Sequence, residues 1–144
     1  MAPITKQTVS AEDARTALEA ALVKASELGV AATVAVVDES GVLKAFTRMD
    51  GAALVTVQSS QDKAYTAVGF GIPSHAWYPM IEKDPALLHG VPTSIDRLVI
   101  FGGGVPLHAD GELIGGIGVG GGSHHQDREI AEAGVVALDN GTSG

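Results

Sequence analysis

The 144-residue sequence contains no cysteine. That excludes disulfides, thiolate metal sites and cysteine nucleophiles together. Aromatic residues make up only 4% of the chain, too few for a platform on which nucleic-acid bases stack. Basic residues are also scarce, 9 against 17 acidic, and the net charge of −8 argues against a polyanionic partner such as nucleic acid. No apolar run is long enough to span a membrane. The opening stretch "MAPITKQTVSAEDAR" lacks the basic-then-apolar order of a signal peptide, so cytoplasmic residence is the expectation. What remains is a chain of single-domain size, 45% hydrophobic. It is long enough to bury roughly 70% of its unfolded surface. The expectation is one domain over 1–144, with flexible ends at 1–8 and 139–144.

Residues 10–29 carry the clearest helix signal. Ser10 is a cap, Glu12 and Asp13 suit the positive end of the dipole, and Gly29 is a stop. Ala14, Ala17, Leu18, Ala21, Leu22, Ala25 and Leu28 recur at helical spacing, an alanine-rich stripe that permits close approach to a sheet. Two β-rich runs flank Asp38–Gly41 and predict an antiparallel hairpin. Residues 54–69 predict a second helix through Leu54, Val57, Ala64, Tyr65 and Val68. Pro73, Pro79 and Pro85 limit 72–90 to short helical pieces. The apolar Trp77, Tyr78, Met80 and Ile81 there suit either a lid over a pocket or a patch covered by another subunit. "RLVIFGGG" predicts one strand, and two more join at Asp110-Gly111, a strong hairpin dipeptide. A final helix runs from about Ser123 to Leu138, with Ile130, Ala133, Ala137 and Leu138 inward. The order predicts a layered α/β (α+β) domain with a mostly antiparallel five-stranded sheet flanked by helices.

Glycine is the conspicuous surplus: 19 residues, about twice ordinary usage, and clustered. Residues 116–121 satisfy G-x-G-x-x-G, but no second parallel strand follows to carry the acidic ribose partner. No lysine follows the glycines, so a Walker loop fails too. Strand alternation predicts Leu113, Gly115, Ile117 and Val119 on one face of "LIGGIGVG" and Ile114, Gly116, Gly118 and Gly120 on the other. A strand face almost without side chains marks a close backbone approach. Either a helix packs tightly there, the first helix or a neighbouring subunit's, or a flat ligand lies on bare amides. Both hold if the stripe runs from the core to a pocket mouth.

Ser123 and Gln126 have capping-box spacing, which starts the last helix at His124. His124 and His125 then sit in the first turn beside Gly120, Gly121 and Gly122, where a helix N-terminus attracts anions and favours neutral imidazole. That suits an oxyanion-stabilising site with a resident acid/base. Adjacent helical side chains diverge by about 100°, so two rings gripping one ion is disfavoured. A second polar group, Arg48, Asp50 and Lys63, lies where the hairpin meets the second helix. Arg48 is either a bidentate carboxylate clamp or part of an ordinary ion pair with Asp50 or Asp62. The candidate ligand-binding set is therefore Arg48, Asp50, Lys63, Gly120, Gly121, Gly122 and Ser123.

"AFTRMDGA" (45–52), "KAYTAVGFGIP" (63–73), "GGGVPL" (102–107), "GELIGGIGV" (111–119) and the Gly-Gly-Ser-x-x-x-Asp that ends at Asp127 resemble the GlcG/HbpS-like family. That family includes the C-terminal domain of PduO-type proteins and is often labelled haem-degrading. The resemblance covers roughly 10–138. It implies a layered domain with an antiparallel sheet, dimers building homo-oligomers up to octamers, and genes commonly found in catabolic operons. It also implies haem or a related tetrapyrrole as cofactor in some members, but no single invariant iron ligand that could be carried to a position here. If haem binds, His124 or His125 is this chain's own candidate ligand. Gly120 stands where many relatives have serine, and the paired histidines depart from the family pattern. The departures keep a second reading open, a small catabolic enzyme (tautomerase, hydrolase or decarboxylase type). It would act on an acidic metabolite with a histidine as acid/base.

Overall fold

A computed structural model of the chain describes residues 1–141. Helix α1 spans Ala11–Glu27 and begins where Ser10 Oγ accepts from Asp13 N at 3.0 Å. It ends at Leu28, after which Gly29 takes φ +70°, a value that suits a residue without Cβ. Strands β1 (Thr33–Asp38) and β2 (Leu43–Arg48) form the expected hairpin. Its turn is built by one carboxylate: Asp38 Oδ1 accepts from Ser40 N at 2.9 Å and Val42 N at 3.0 Å. Helix α2 covers Thr56–Phe70. The proline-limited stretch holds a single 3-10 turn at Ser74–Ala76, α3 at Trp77–Ile81 and α4 at Pro85–Ser94. Strands β3 (Gly104–Ala109) and β4 (Glu112–Gly120) turn at Asp110-Gly111, and α5 (His124–Gly141) closes the described chain.

The sheet order is β2-β1-β4-β3, antiparallel throughout. It has four strands among the described residues, not the five expected. Residues 97–103 do not pair as a strand because hydroxyls from elsewhere take their backbone groups. Thr66 Oγ1 donates to Arg97 O at 2.9 Å and accepts from Val99 N at 3.0 Å. Ser74 Oγ donates to Phe101 O at 2.7 Å and accepts from Gly104 N at 2.8 Å. The β-branched run thus lies as irregular chain tied down by α2 and the 3-10 turn.

The sheet's two faces are built differently. On one, Val34, Val36, Ile117 and Val119 pack against Ala14, Ala17, Leu18, Ala21 and Ala25 of α1 and Ile130 and Ala131 of α5. A bulge at Ile114, opposite the Leu107–His108 step, brings that residue onto this apolar face instead of the glycine face. Gly134 marks the crossing of α1 and α5; a Cβ there would lie 2.7 Å from Ile117 Cδ1 and 2.9 Å from Ala17 O. The inward row of α5 is therefore Asp127, Ile130, Ala131 and Gly134, with Leu138 partly buried and Ala133 and Ala137 at the margin. Residues 139–141, expected as part of a flexible end, continue this helix, and 142–144 lie outside the described residues. Residues 1–8 form no regular element, although Lys6 Nζ reaches Glu39 at 3.5 Å.

Candidate functional site

The opposite face of the sheet is the glycine face, and α2 covers it. A Cβ on Gly118 would collide with the Ser60 carbonyl oxygen and meet Ala64 N at 2.5 Å. One on Gly116 would sit 2.8 Å from Ala64 O and from Val68 Cγ2. Helix backbone here rests on strand backbone, so the tight-packing reading of the stripe holds along Gly116–Gly118. The helix is α2 rather than α1. Facing the sheet and its surroundings, α2 buries Thr56, Ser60, Lys63, Ala64, Thr66, Ala67 and Val68, while Leu54, expected inside this helix, lies exposed in the turn that precedes it. Small side chains dominate where the two backbones are nearly in contact, with Val68 against Gly116. Thr56 Oγ1 meets Thr33 Oγ1 at 2.7 Å across this gap.

Lys63 is the exception in size. It is 3% exposed, and its ammonium donates to Val119 O at 2.9 Å and to Asp127 Oδ2 at 3.0 Å. The Phe101 ring centroid lies 5.2 Å from the same Nζ. Gly103 makes room for the stem: a Cβ there would fall 2.7 Å from Lys63 Cδ. Asp127, buried in turn, accepts from Gly122 N at 2.8 Å through its other oxygen. Both carboxylate oxygens are thus engaged. Burial pushes the Asp127 carboxyl above the ordinary carboxylate range, against the opposing pull of the Lys63 ammonium and the Gly122 N–H.

At Gly120 the stripe is still covered by α2, now by the Thr56 and Ser59 side chains, and it opens beyond that residue. Gly120, Gly121 and Gly122 line a cavity of about 400 Å³ with Ser59, Lys63, Phe101, His124 and Asp127. Helix α5 begins at its rim with a full capping box. Ser123 Oγ accepts from Gln126 N at 3.2 Å, and Gln126 Oε1 accepts from Ser123 N at 3.0 Å. The last helix therefore starts at His124, as its sequence predicts. Of the expected ligand-binding residues, Lys63 and the three glycines line this cavity, and Ser123 caps the helix at its edge.

His124 and His125 are both solvent-exposed. Their rings nevertheless touch, with centroids 4.1 Å apart and planes tilted by 36°. His124 stands also against Phe101, 6.1 Å between centroids. Both imidazoles line a second cleft of about 530 Å³ with His75, Tyr78, Pro79, Ile100, Phe101, Gly102 and Arg128. Phe101 and His124 form the wall shared by the two cavities. His75 Nδ1 is buried without a hydrogen-bond partner among the described residues. Desolvation, reinforced by the Arg128 charge, lowers its pKa below the ordinary 6.5 and keeps the ring neutral. No group of three or more His, Asp or Glu side chains among the described residues is arranged to hold a metal ion.

Arg48 and Asp50 line neither cavity. Arg48 is paired across the sheet with Thr33, which in turn faces Gly120, so it lies two strands from the glycine loop. Its Nε and Nη2 donate to Ala52 O at 3.0 and 2.8 Å, a loop clamp rather than a carboxylate pair. Asp62, the other partner considered for it, binds Arg97 Nε at 2.9 Å. Spacing alone gave no signal for Asp127. The clue was its place one helical turn after the cap, from which its carboxylate reaches back to Gly122 N, the amide just before the cap.

A family model described as haem degrading protein HbpS-like matches residues 9–136. The corrinoid adenosyltransferase PduO of Salmonella typhimurium (strain LT2) is 36% identical over 135 residues, covering 93% of this chain and 40% of that protein. The chain therefore spans well under half the length of that relative. The crystal structure of Klebsiella pneumoniae protein ORFY superposes with a TM-score of 0.89 at 29% identity, covering 95% of this chain and 94% of that one. A crystal structure of a PduOC:heme complex superposes with a TM-score of 0.84 at 35% identity, covering 90% and 94%.

Proposed function

The chain belongs to the HbpS-like family, and on that premise we propose that it is a cytoplasmic, homo-oligomeric protein that binds haem or a related planar cofactor. The observation that carries the reading is the cleft between the 3-10 turn and the first turn of α5. Its walls are apolar and aromatic through Tyr78, Pro79, Ile100 and Phe101, while two imidazoles, an unpartnered His75 Nδ1 and the Arg128 guanidinium supply its polar groups. These residues fit a tetrapyrrole: His124 or His125 would hold the iron, and Arg128 would face an acidic side group. Bound haem would bring its own redox and ligand-exchange chemistry. The protein's part is to exclude water from one face and fix the ring's orientation. That a solved relative is a PduOC:heme complex supports the same reading.

Oligomer formation is supported by exposed apolar groups, among them Phe70 at 68% and Met80 at 54%, beside the cleft-forming segments. The catalytic alternative, turnover of an acidic metabolite with His124 or His125 as acid/base, is favoured by one observation: His124 also borders the glycine-loop cavity. Hemin titration tests the main reading. A saturable Soret band is expected, with its position or intensity changed in His124→Ala or His125→Ala. Absence of a saturable band refutes haem binding, and a band unchanged in both variants refutes the histidine ligand. Light scattering on the same samples is expected to give a mass several times that of the monomer.

A further inference from the structure

The glycine-loop cavity is a second site, distinct from the cleft that carries the haem reading, and its chemistry is that of hydrogen-bond donors. Both Asp127 oxygens already accept a bond, Oδ1 from Gly122 N and Oδ2 from Lys63 Nζ. An ammonium has three N–H groups. Lys63 spends two, on Val119 O and Asp127 Oδ2, at a position 3% exposed. The third has no hydrogen-bond acceptor among the described residues, and the cavity lined by Lys63, Ser59, the glycines and His124 is where one would sit.

A lysine buried on a glycine-lined face costs desolvation that a single carboxylate only partly offsets. Leaving one of its donors beside a cavity lets an incoming acceptor complete its coordination. We propose that this cavity binds a small organic monocarboxylate. One carboxylate oxygen takes the third Lys63 N–H, and the Ser59 hydroxyl and loop backbone serve the other. A monoanion fits better than phosphate because one remaining N–H, on an ammonium already neutralised by Asp127, leaves little charge for a dianion. Phe101 provides an apolar wall for the acid's carbon part, and because Phe101 and His124 border both cavities, occupancy of one is felt at the other.

The test is a titration of uniformly labelled full-length protein with pyruvate, and separately with inorganic phosphate, followed by amide and lysine side-chain NMR. Pyruvate is expected to give saturable shifts centred on Ser59, Lys63 and Gly120–His124. In Lys63→Met/Asp127→Asn, which removes both charges together, pyruvate affinity is expected to fall by about tenfold or more. The same double variant is expected to keep its hemin response, since neither residue lines the haem cleft, so failure of one reading is separable from failure of the other. No saturable shift with pyruvate, shifts centred elsewhere, saturation by phosphate alone, or undiminished affinity in the double variant would each overturn the proposal. Should the double variant not fold, the map of shifts in the unmodified protein decides alone.

Discussion

The two faces of the sheet solve the same problem, covering a strand with a helix, in opposite ways. On the α1/α5 face, valine, isoleucine and leucine side chains meet alanine stripes, and stability comes from apolar area removed from water. On the α2 face, β4 offers Gly116 and Gly118, where helix backbone comes close enough to touch strand backbone, and Gly120, which faces the Thr56 and Ser59 side chains. The buried apolar cluster there is small: Val37, Ala64 and Val68, with Leu113 beside them. Polar groups fill the remainder: Thr33, Thr56, Ser60, Thr66 and the Lys63–Asp127 pair. The glycine face ends in the cavity lined by Gly120, Gly121 and Gly122, and the apolar face has a cleft of its own, about 550 Å³ between Thr16, His108, Ile114 and Leu138.

The sharpest way to break this contrast is to unbalance the ion pair. Lys63→Met alone strands a buried carboxylate and is expected to cost about 3–5 kcal/mol in urea unfolding, most of it recovered when Asp127→Asn is added. Equal losses in single and double variants would show that the stem's packing, not its charge, matters. Next in size is a comparison of single carbon atoms on neighbouring residues. Gly118→Ala adds one carbon against the Ser60 carbonyl and is expected to cost about 2–3 kcal/mol. Ile117→Val removes one on the other face and is expected to cost about 1 kcal/mol. A reversed order would mean that α2 can shift outward freely.

The smallest effect expected is on acid sensitivity. The folded protein holds His75 neutral, with its pKa below the ordinary 6.5, so the unfolded chain binds more protons as pH falls through that range. Stability contributed by the neutral ring is therefore present above about pH 6.5 and is lost progressively below it. His75→Gln is expected to flatten the fall in melting temperature over this window. An unchanged slope would assign the sensitivity to another group.

Local chemistry made much of the architecture legible. The Ser10 cap, the Asp38 turn, the Asp110-Gly111 turn and the Ser123–Gln126 box are each decided by residues within four positions of one another, and all appear where expected. The fifth strand failed because "RLVIF" has strand composition but finds its partners in Thr66 and Ser74, more than twenty residues away. The faces of β4 were misassigned at one end because the Ile114 bulge resets the alternation, and no turn signal announces a bulge. At the site, the glycines and the histidine pair were readable from clustering. Lys63 was grouped with Arg48 and Asp50 at the junction of hairpin and helix, but the fold turns it to the glycine loop, away from both. Its partner Asp127 lies 64 residues along the chain, and only the folded sheet brings the two together.

That same separation makes α5 a completeness requirement for the glycine face. Until residue 127 has been synthesised and docked, α2 can settle on β4 only by sealing in an ammonium with no counter-charge. A chain without α5 is therefore expected to stay ajar along this seam, its ammonium lacking the carboxylate that meets it in the folded protein.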